Sequence, residues 1–452
     1  MLKATFHFPP DFIWGVSTSS HQVEGGNENN QWWDWEAEEG HIKGGDRSGA
    51  ACDWWHRAEE DFDRAAEMGL KSLRLSIEWS RVEPEPGRFD DAALERYRSM
   101  LAGLRQRGLE PMVTLHHFTN PRWLEKQGAW INEGTIAYFA RYVERVVQAL
   151  GHEAGLWCTI NEPNVYASLG YLIGDFPPGH HDLKEGLLVL RHLLEGHAAA
   201  YHTIHRLQPT AQVGLAHNFL VVEPANPRAF LDRTAARLSD WAYNGMLLTA
   251  LQKGLLLPPM GTAYLPHLRR TLDWIGLNYY SRIHLAFDRH APEMLYTRIV
   301  ADEKAEMMDG NYGELYPKGL YRALKRLARL NLPIYITENG IPDADDDRRP
   351  RALLLHLRQL WWALQENLPI RAYYHWTLVD NFEWIDGWSL RFGLFELDPA
   401  TQARKRRPSA DLYAAIAQGN AITPDLVEAY APEAWEHLYP DAGAPPAEEA
   451  AL

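Results

Sequence analysis

Gly155-Leu156-Trp157-Cys158-Thr159-Ile160-Asn161-Glu162-Pro163 is a short apolar run that ends in an amide, a carboxylate and a proline. A second stretch repeats the design: Leu332-Pro333-Ile334-Tyr335-Ile336-Thr337-Glu338-Asn339-Gly340. Each run reads as a strand buried on both faces, as in a parallel sheet, with a glutamate just past its end. Two carboxyls at the ends of two parallel strands can face one substrate bond from opposite sides. That is the minimum equipment for cutting a glycosidic linkage. One carboxyl protonates the leaving oxygen, and the other attacks the anomeric carbon or activates a water.

Six further runs share this character. Together the strand candidates are 12–18, 72–79, 110–118, 156–161, 212–218, 274–280, 333–337 and 371–378. Amphipathic helical segments lie between them. The segment 57–68 stops at Gly69, 91–107 at Gly108, and 135–150 at Gly151. In the last of these, Ile136, Phe139, Ala140, Val143, Val146, Val147 and Leu150 share one face. Segments 185–207, 318–330 and 352–365 read the same way. Strands alternating with helices predict an α/β protein closed into a (β/α)8 TIM barrel, a single domain with long βα loops. An open doubly wound sheet is disfavoured, because no glycine-rich phosphate loop follows the first strand.

The chain has 452 residues. Length alone suggests about three domains, but barrels with long loops reach this size as one unit. The expected division is one catalytic domain over 1–440 and an Ala-, Pro- and Glu-rich tail over 441–452 that frays. Segment 286–315 reads as a long irregular loop at the mouth of a site. The acidic run 343–349, ending in two arginines, reads as a solvated loop, and 404–407 as a short basic run.

A formal net charge of −15 argues against nucleic acid and anionic membranes as partners and suits a neutral substrate. The two cysteines, Cys52 and Cys158, form no disulfide framework. The first residues lack a signal-peptide core, and no apolar run approaches the length of a membrane span. A cytoplasmic location is therefore expected. Self-association is left open. Eighteen Trp and twenty Tyr supply wide apolar faces with a polar handle, suited to the C–H side of a pyranose, although core packing accounts for most of them.

In a barrel, functional groups come from the C-terminal ends of several strands. Those ends carry Gln22-Val23-Glu24-Gly25, then Arg74, then His116-His117-Phe118, then Asn161-Glu162. Beyond them come Asn278-Tyr279-Tyr280, Glu338, Trp376, and Asn381-Phe382-Glu383-Trp384. Amides, a histidine, aromatics and carboxylates are what a neutral polyhydroxylated ligand needs. No metal or other cofactor is expected. His116 and His117 are adjacent on a strand and point to opposite faces, and no Asp, Glu or His spacing completes a ligand set.

These motifs resemble glycoside hydrolase family 1, the retaining β-glucosidase and β-galactosidase family. The resemblance rests on Phe8-Pro9-Pro10-Asp11-Phe12-Ile13-Trp14-Gly15, Leu73-Arg74-Leu75-Ser76-Ile77-Glu78-Trp79, Asn161-Glu162-Pro163, Thr337-Glu338-Asn339-Gly340 and Asp380-Asn381-Phe382-Glu383-Trp384. It implies that Glu162 is the general acid/base and Glu338 the nucleophile. Arg74 and Tyr280 would contact Glu338 and hold it ionised, and Asn278 would lie near Glu162. Gln22, His117, Asn161, Glu383 and Trp384 would bind sugar hydroxyls, and Trp376 would form a stacking platform. The ligand would be a small β-glycoside or oligosaccharide, cut from its non-reducing end. Two positions depart from the pattern: Phe118 and Asn164 stand where the family commonly has Trp. Glu78 and the stretch Trp384-Ile385-Asp386-Gly387-Trp388 look closer to the archaeal and thermophile branch. Two alternatives remain: a 6-phospho-β-glycosidase, and a non-catalytic sugar-binding relative. The second would be expected to lack one of the two glutamates.

Overall fold

The apolar runs do close into a barrel. A computed structural model describes residues 4–439, and residues 1–3, residue 440 and the predicted tail 441–452 lie outside the described residues. Eight parallel strands follow one another around the ring in chain order. They are β1 (Ile13–Ser17), β2 (Ser72–Ser76), β3 (Glu110–His116), β4 (Leu156–Asn161), β5 (Gln212–Asn218), β6 (Trp274–Asn278), β7 (Ile334–Asn339) and β8 (Ile370–Trp376). β8 pairs with β1, and β6 bridges β5 and β7. This is the (β/α)8 barrel that the alternation predicts.

The strand ends differ from the reading in a useful way. β2, β3, β6 and β8 stop two or three residues early, while β7 runs on to Asn339 and so contains Glu338. Glu162 stands one residue past β4; Glu338 is held inside a strand, paired with Asn278 across the ladder.

Helices alternate with the strands: α1 (Trp54–Glu67), α2 (Asp91–Gln106), α3 (Gly134–Leu150), α4 (Leu183–Leu207), α5 (Met246–Lys253), α6 (Lys318–Leu327), α7 (Arg349–Gln365) and α8 (Pro408–Gly419). α1 begins three residues before its predicted start. α1 and α2 end at glycines with left-handed backbone, Gly69 (φ +79°) and Gly108 (φ +73°), where an L-residue would be strained. Gly151 differs: its φ of −62° is right-handed, and it caps α3 simply by donating its N–H to Val147 O.

Alternate residues on each strand split between two apolar layers. Val113, Leu115 and Trp157 join the main core, where the helices pack. Met112, Leu156, Cys158, Ala216, Trp274, Ala372 and Tyr374 form a separate buried cluster that plugs the barrel.

Two expectations need correction. The segment 286–315 is not wholly irregular. It contributes to a three-stranded sheet outside the barrel, with Val221–Pro224 parallel and Thr297–Val300 antiparallel to Arg282–Phe287. The run 343–349 is not a solvated loop, because Asp343, Asp346 and Arg349 are buried. Asp343 accepts from the N–H of Arg348 (3.0 Å) and of Arg349 (2.7 Å), satisfying amides at the start of α7 that no local side chain caps. Arg349 pairs with Asp346, which also accepts from Ser409. The basic run is structural as well. Arg404 lies 3.2 Å from Asp61, and Arg407 forms a forked pair with Asp380 at 2.8 and 3.0 Å. Among the described residues, no helix is long and apolar enough to cross a membrane.

Candidate active site

Arg74 organises the C-terminal end of the barrel. It is fully buried on β2, and each of its five N–H groups has an acceptor. Nε donates to Thr114 Oγ1 (3.0 Å); Nη1 donates to Ser17 Oγ (3.1 Å) and to Glu338 Oε1. Nη2 donates to Asn161 Oδ1 (2.6 Å) and toward Cys158 Sγ (3.9 Å). A guanidinium that is buried and fully satisfied is a rigid positive charge, and its orientation sets that of Glu338. The other oxygen of Glu338 accepts from Tyr280 Oη at 2.7 Å.

Glu162 has a different environment. Its backbone is left-handed (φ 46°, ψ 59°), an uncommon state for a residue with a side chain, and it begins a turn stiffened by Pro163. Its Oε1 accepts from Asn278 Nδ2 (2.8 Å) and Asn218 Nδ2 (2.9 Å), both neutral donors. Burial pushes its pKa up to about 8, with help from the charge of Glu338; the two amides pull the other way. Of these two causes, burial is the larger.

One amide network joins the two carboxyls. Asn161 Oδ1 accepts from Arg74 and from Asn278 Nδ2 (3.1 Å), and Asn278 Oδ1 accepts from Thr337 Oγ1 (2.6 Å). With its oxygen committed, Asn161 donates through Nδ2 to His117 Nε2 (3.1 Å), so this ring nitrogen is unprotonated. Burial, then Arg74, hold the His117 pKa well below the usual imidazole range. His116 points away, to Asn120 (3.0 Å), as two neighbours on a strand must.

The loop after β8 closes the other side. Glu383 is buried, and Gln22 bridges to it at 3.2 Å while donating to Phe382 O at 2.8 Å. Burial, then Asp386 and Glu338, push the Glu383 carboxyl well above the usual range. The Arg407–Asp380 pair anchors this loop from behind. Trp384 (φ 52°) and Phe118 (φ 71°) are also left-handed, and their rings meet at 5.3 Å. His117 stacks between Trp376 (6.1 Å) and Trp384 (6.2 Å).

These residues border one cavity of about 1070 Å³. Glu162, Glu338, His117, Tyr280, Trp376, Glu383 and Trp384 line it. Gln22, Arg74, Asn161 and Asn278 reach it through hydrogen bonds to Glu383, Glu338, His117 and Glu162 respectively. All the predicted site residues are therefore brought together. Three others escaped the sequence reading. Asn218 ends β5, the one strand whose terminus was not read for function. Tyr243 donates to Asn218 Oδ1 at 2.9 Å but lies in a helical turn without a motif. Tyr312 lines the cavity from the segment read as irregular.

A buried pair of carboxyls, one clamped by Arg and one held by neutral amides, sits at the mouth of a parallel barrel. Known proteins share this chain's sequence pattern and fold. The family model for glycosyl hydrolase family 1 matches residues 4–422. β-Glucosidase A of Thermotoga maritima is 31% identical over 443 residues, spanning 92% of this chain and 98% of that protein. The β-galactosidase of Pyrococcus woesei is 29% identical, spanning 93% and 99%. The solved β-glycosidase from Pyrococcus horikoshii superposes with a TM-score of 0.88 at 34% identity, over 94% of this chain and 98% of that one. The chain belongs to glycosyl hydrolase family 1 and is a glycoside hydrolase.

Proposed function

We propose that the enzyme releases the terminal non-reducing sugar from β-D-glucosides, and also from β-galactosides and β-fucosides, with retention of configuration. Glu338 attacks the anomeric carbon while Glu162 donates its proton to the leaving oxygen. The resulting glycosyl-enzyme no longer carries the Glu338 charge, so Glu162 loses one of the two causes of its raised pKa. It then deprotonates the water that releases the sugar. Arg74 and Tyr280 hold Glu338 in its attacking orientation, and Asn278 orients Glu162. Gln22, His117, Asn161, Glu383 and Trp384 take the sugar hydroxyls, and Trp376 stacks on the ring.

The observation that carries this reading is the unequal treatment of the two carboxyls. Arg74 and Tyr280 both donate to Glu338, whereas Glu162 meets only amides and is pushed up to about 8. Such a split is what assigns one acid and one nucleophile. The test is Glu338→Gly. It should lose several orders of magnitude in turnover and regain part of it with azide, giving an α-configured glycosyl azide. Near-normal activity without azide would remove Glu338 from the role.

A neutral sugar is favoured over its 6-phosphate by the two carboxyls at this end of the cavity, Glu383 and Asp386. Burial pushes both above their ordinary values, and a phosphate beside them would add a negative charge that neither can balance. Arg391, the residue best placed in sequence to receive a phosphate, is spent elsewhere. It donates to Leu397 O (3.3 Å), lies 3.8 Å from Asp380 and is not among the residues lining the cavity. The deciding measurement is kcat/KM for nitrophenyl β-glucoside against its 6-phosphate. Faster turnover of the phosphate would overturn this assignment.

A further inference from the structure

The cavity has two walls of different chemistry. Around Glu162 and Glu338 it is aromatic and polar. Beyond Glu162, on the leaving-group side, it is aliphatic: Leu172, Ile173, Leu187, Val222, Ile283 and Leu295 line it. Among the described residues, the two tryptophans of the cavity, Trp376 and Trp384, lie on the sugar side, and none lines this arm. Two of the polar groups at its entrance are engaged, while Asn164 Oδ1 and Ser239 Oγ are buried without a hydrogen-bond partner among the described residues. Asn164 Nδ2 donates to Asn218 O at 2.8 Å, and Tyr243 Oη donates to Asn218. Ser168, Asp175, Ser239, Thr297, Arg298 and Asn311 are further polar residues of the cavity wall. A second sugar needs aromatic platforms and convergent hydrogen bonds, and this wall offers scattered polar atoms among aliphatic side chains.

The arm also opens onto an apolar exterior. Every large hydrophobic side chain exposed among the described residues lies between positions 230 and 312. Phe230 (70% exposed), Leu231 and Leu238 stand on the helix Phe230–Asp240, which packs on the outer three-stranded sheet. Ile299, 66% exposed on that sheet, also lines the cavity, so interior and exterior apolar surfaces are continuous there. Two π-helical turns, Leu169–Ile173 and Trp241–Gly245, contribute wall residues; such turns are often found at functional sites. An exposed apolar patch of this kind calls for an occupant.

We propose that the arm receives a hydrocarbon aglycone, so that the preferred substrates are amphiphilic β-glycosides with an alkyl or isoprenoid chain, not β-linked oligosaccharides. This rests on the reading of Glu162 and Glu338 as the hydrolytic pair. The sugar sits over Glu338, the glycosidic oxygen meets Glu162, and the chain runs along Leu187 and Ile283 toward Ile299.

Ethyl, butyl, hexyl and octyl β-D-glucosides, each below its micelle concentration, provide the test. Their leaving groups are nearly equal in acidity, so a trend in kcat/KM reads binding of the chain. A fully buried methylene is worth about fourfold, and partial burial still gives at least about tenfold from butyl to octyl. Octyl glucoside should outrun cellobiose, and Leu187→Gln and Ile283→Thr should flatten the series. Vesicles containing a diacylglycerol β-glucoside separate the two sources of such a chain. Cleavage there assigns a membrane glycolipid, and cleavage of octyl glucoside alone assigns a free amphiphile. A flat alkyl series with brisk turnover of nitrophenyl β-glucoside would overturn this inference alone. No turnover of nitrophenyl β-glucoside would overturn the hydrolytic reading and this inference with it.

Discussion

Replacing Glu338 by Gln removes one charge and keeps the shape of the site, and its effect on Glu162 can be worked out beforehand. Retaining pairs hold their carboxyls about 5.5 Å apart. At that distance and an effective dielectric of about 20, one unit charge on the other costs about 3 kcal/mol, or about two pKa units. The Glu162 value of about 8 should therefore fall to about 6 in Glu338→Gln. It should not return to 4.5, since burial, the larger cause, is unchanged. The assay is a 13C NMR titration of glutamate-labelled protein, with Glu162→Gln used to assign the resonance. In the wild type the same group must be protonated to act as acid, so kcat/KM should fall as pH rises through about 8. The sign for stability follows from the folded value lying above the unfolded one, 4.5. Between 4.5 and about 8 the native chain keeps a proton that the unfolded chain has released, so stability declines as pH rises through that window. The full decline is about 5 kcal/mol at most, and Glu162→Gln, which cannot ionise, should escape it. A Glu162 titration near 4.5 in the wild type, or one unmoved in Glu338→Gln, would refute the reasoning.

Other outcomes follow from single contacts. Tyr280→Phe removes the 2.7 Å hydrogen bond to Glu338. At about 1.5–3 kcal/mol for a bond to a charged acceptor, kcat should drop about 10- to 150-fold, and added azide should not restore it. Glu383→Leu should raise KM for glucosides far more than Glu383→Gln, which keeps the shape and the hydrogen bonding; equal effects would show that Glu383 does not touch the sugar. Asp346→Ala strips Arg349 of its buried partner, a loss of about 3–5 kcal/mol, readable by denaturant unfolding with kcat of the folded enzyme unchanged. Gly340→Ala would place a Cβ 2.0 Å from Trp376 O, so both stability and activity should fall, and a well-folded active variant would show that the β7–β8 contact is looser than described.

The barrel was legible because its information is local. Apolar runs of strand length, glycine stops after helices and alternation of the two do not depend on long-range contacts. The two glutamates were legible because a parallel strand delivers its last residues to one end of the sheet. Segment 343–349 misled for the same reason. Acidic residues in series read as solvated by composition, yet Asp343 caps a helix and Asp346 neutralises a buried arginine. Burial is not a local property of the chain.

By itself, then, the sequence determined the ring of strands and, apart from Asn218 at the end of β5, the acid and amide groups that the strand ends carry, since periodicity and strand direction are written residue by residue. Tertiary structure supplied the burial and the partner geometry that make those groups differ. Glu162 and Glu338 are the same side chain; one is clamped by Arg74 and Tyr280, the other faces Asn218 and Asn278, which come from other strands. The aliphatic arm was equally invisible, because Leu187, Val222, Ile283 and Leu295 are ordinary core residues in sequence. Only the chain path leaves a gap between them, so that apolar side chains that would otherwise pack together wall a cavity instead.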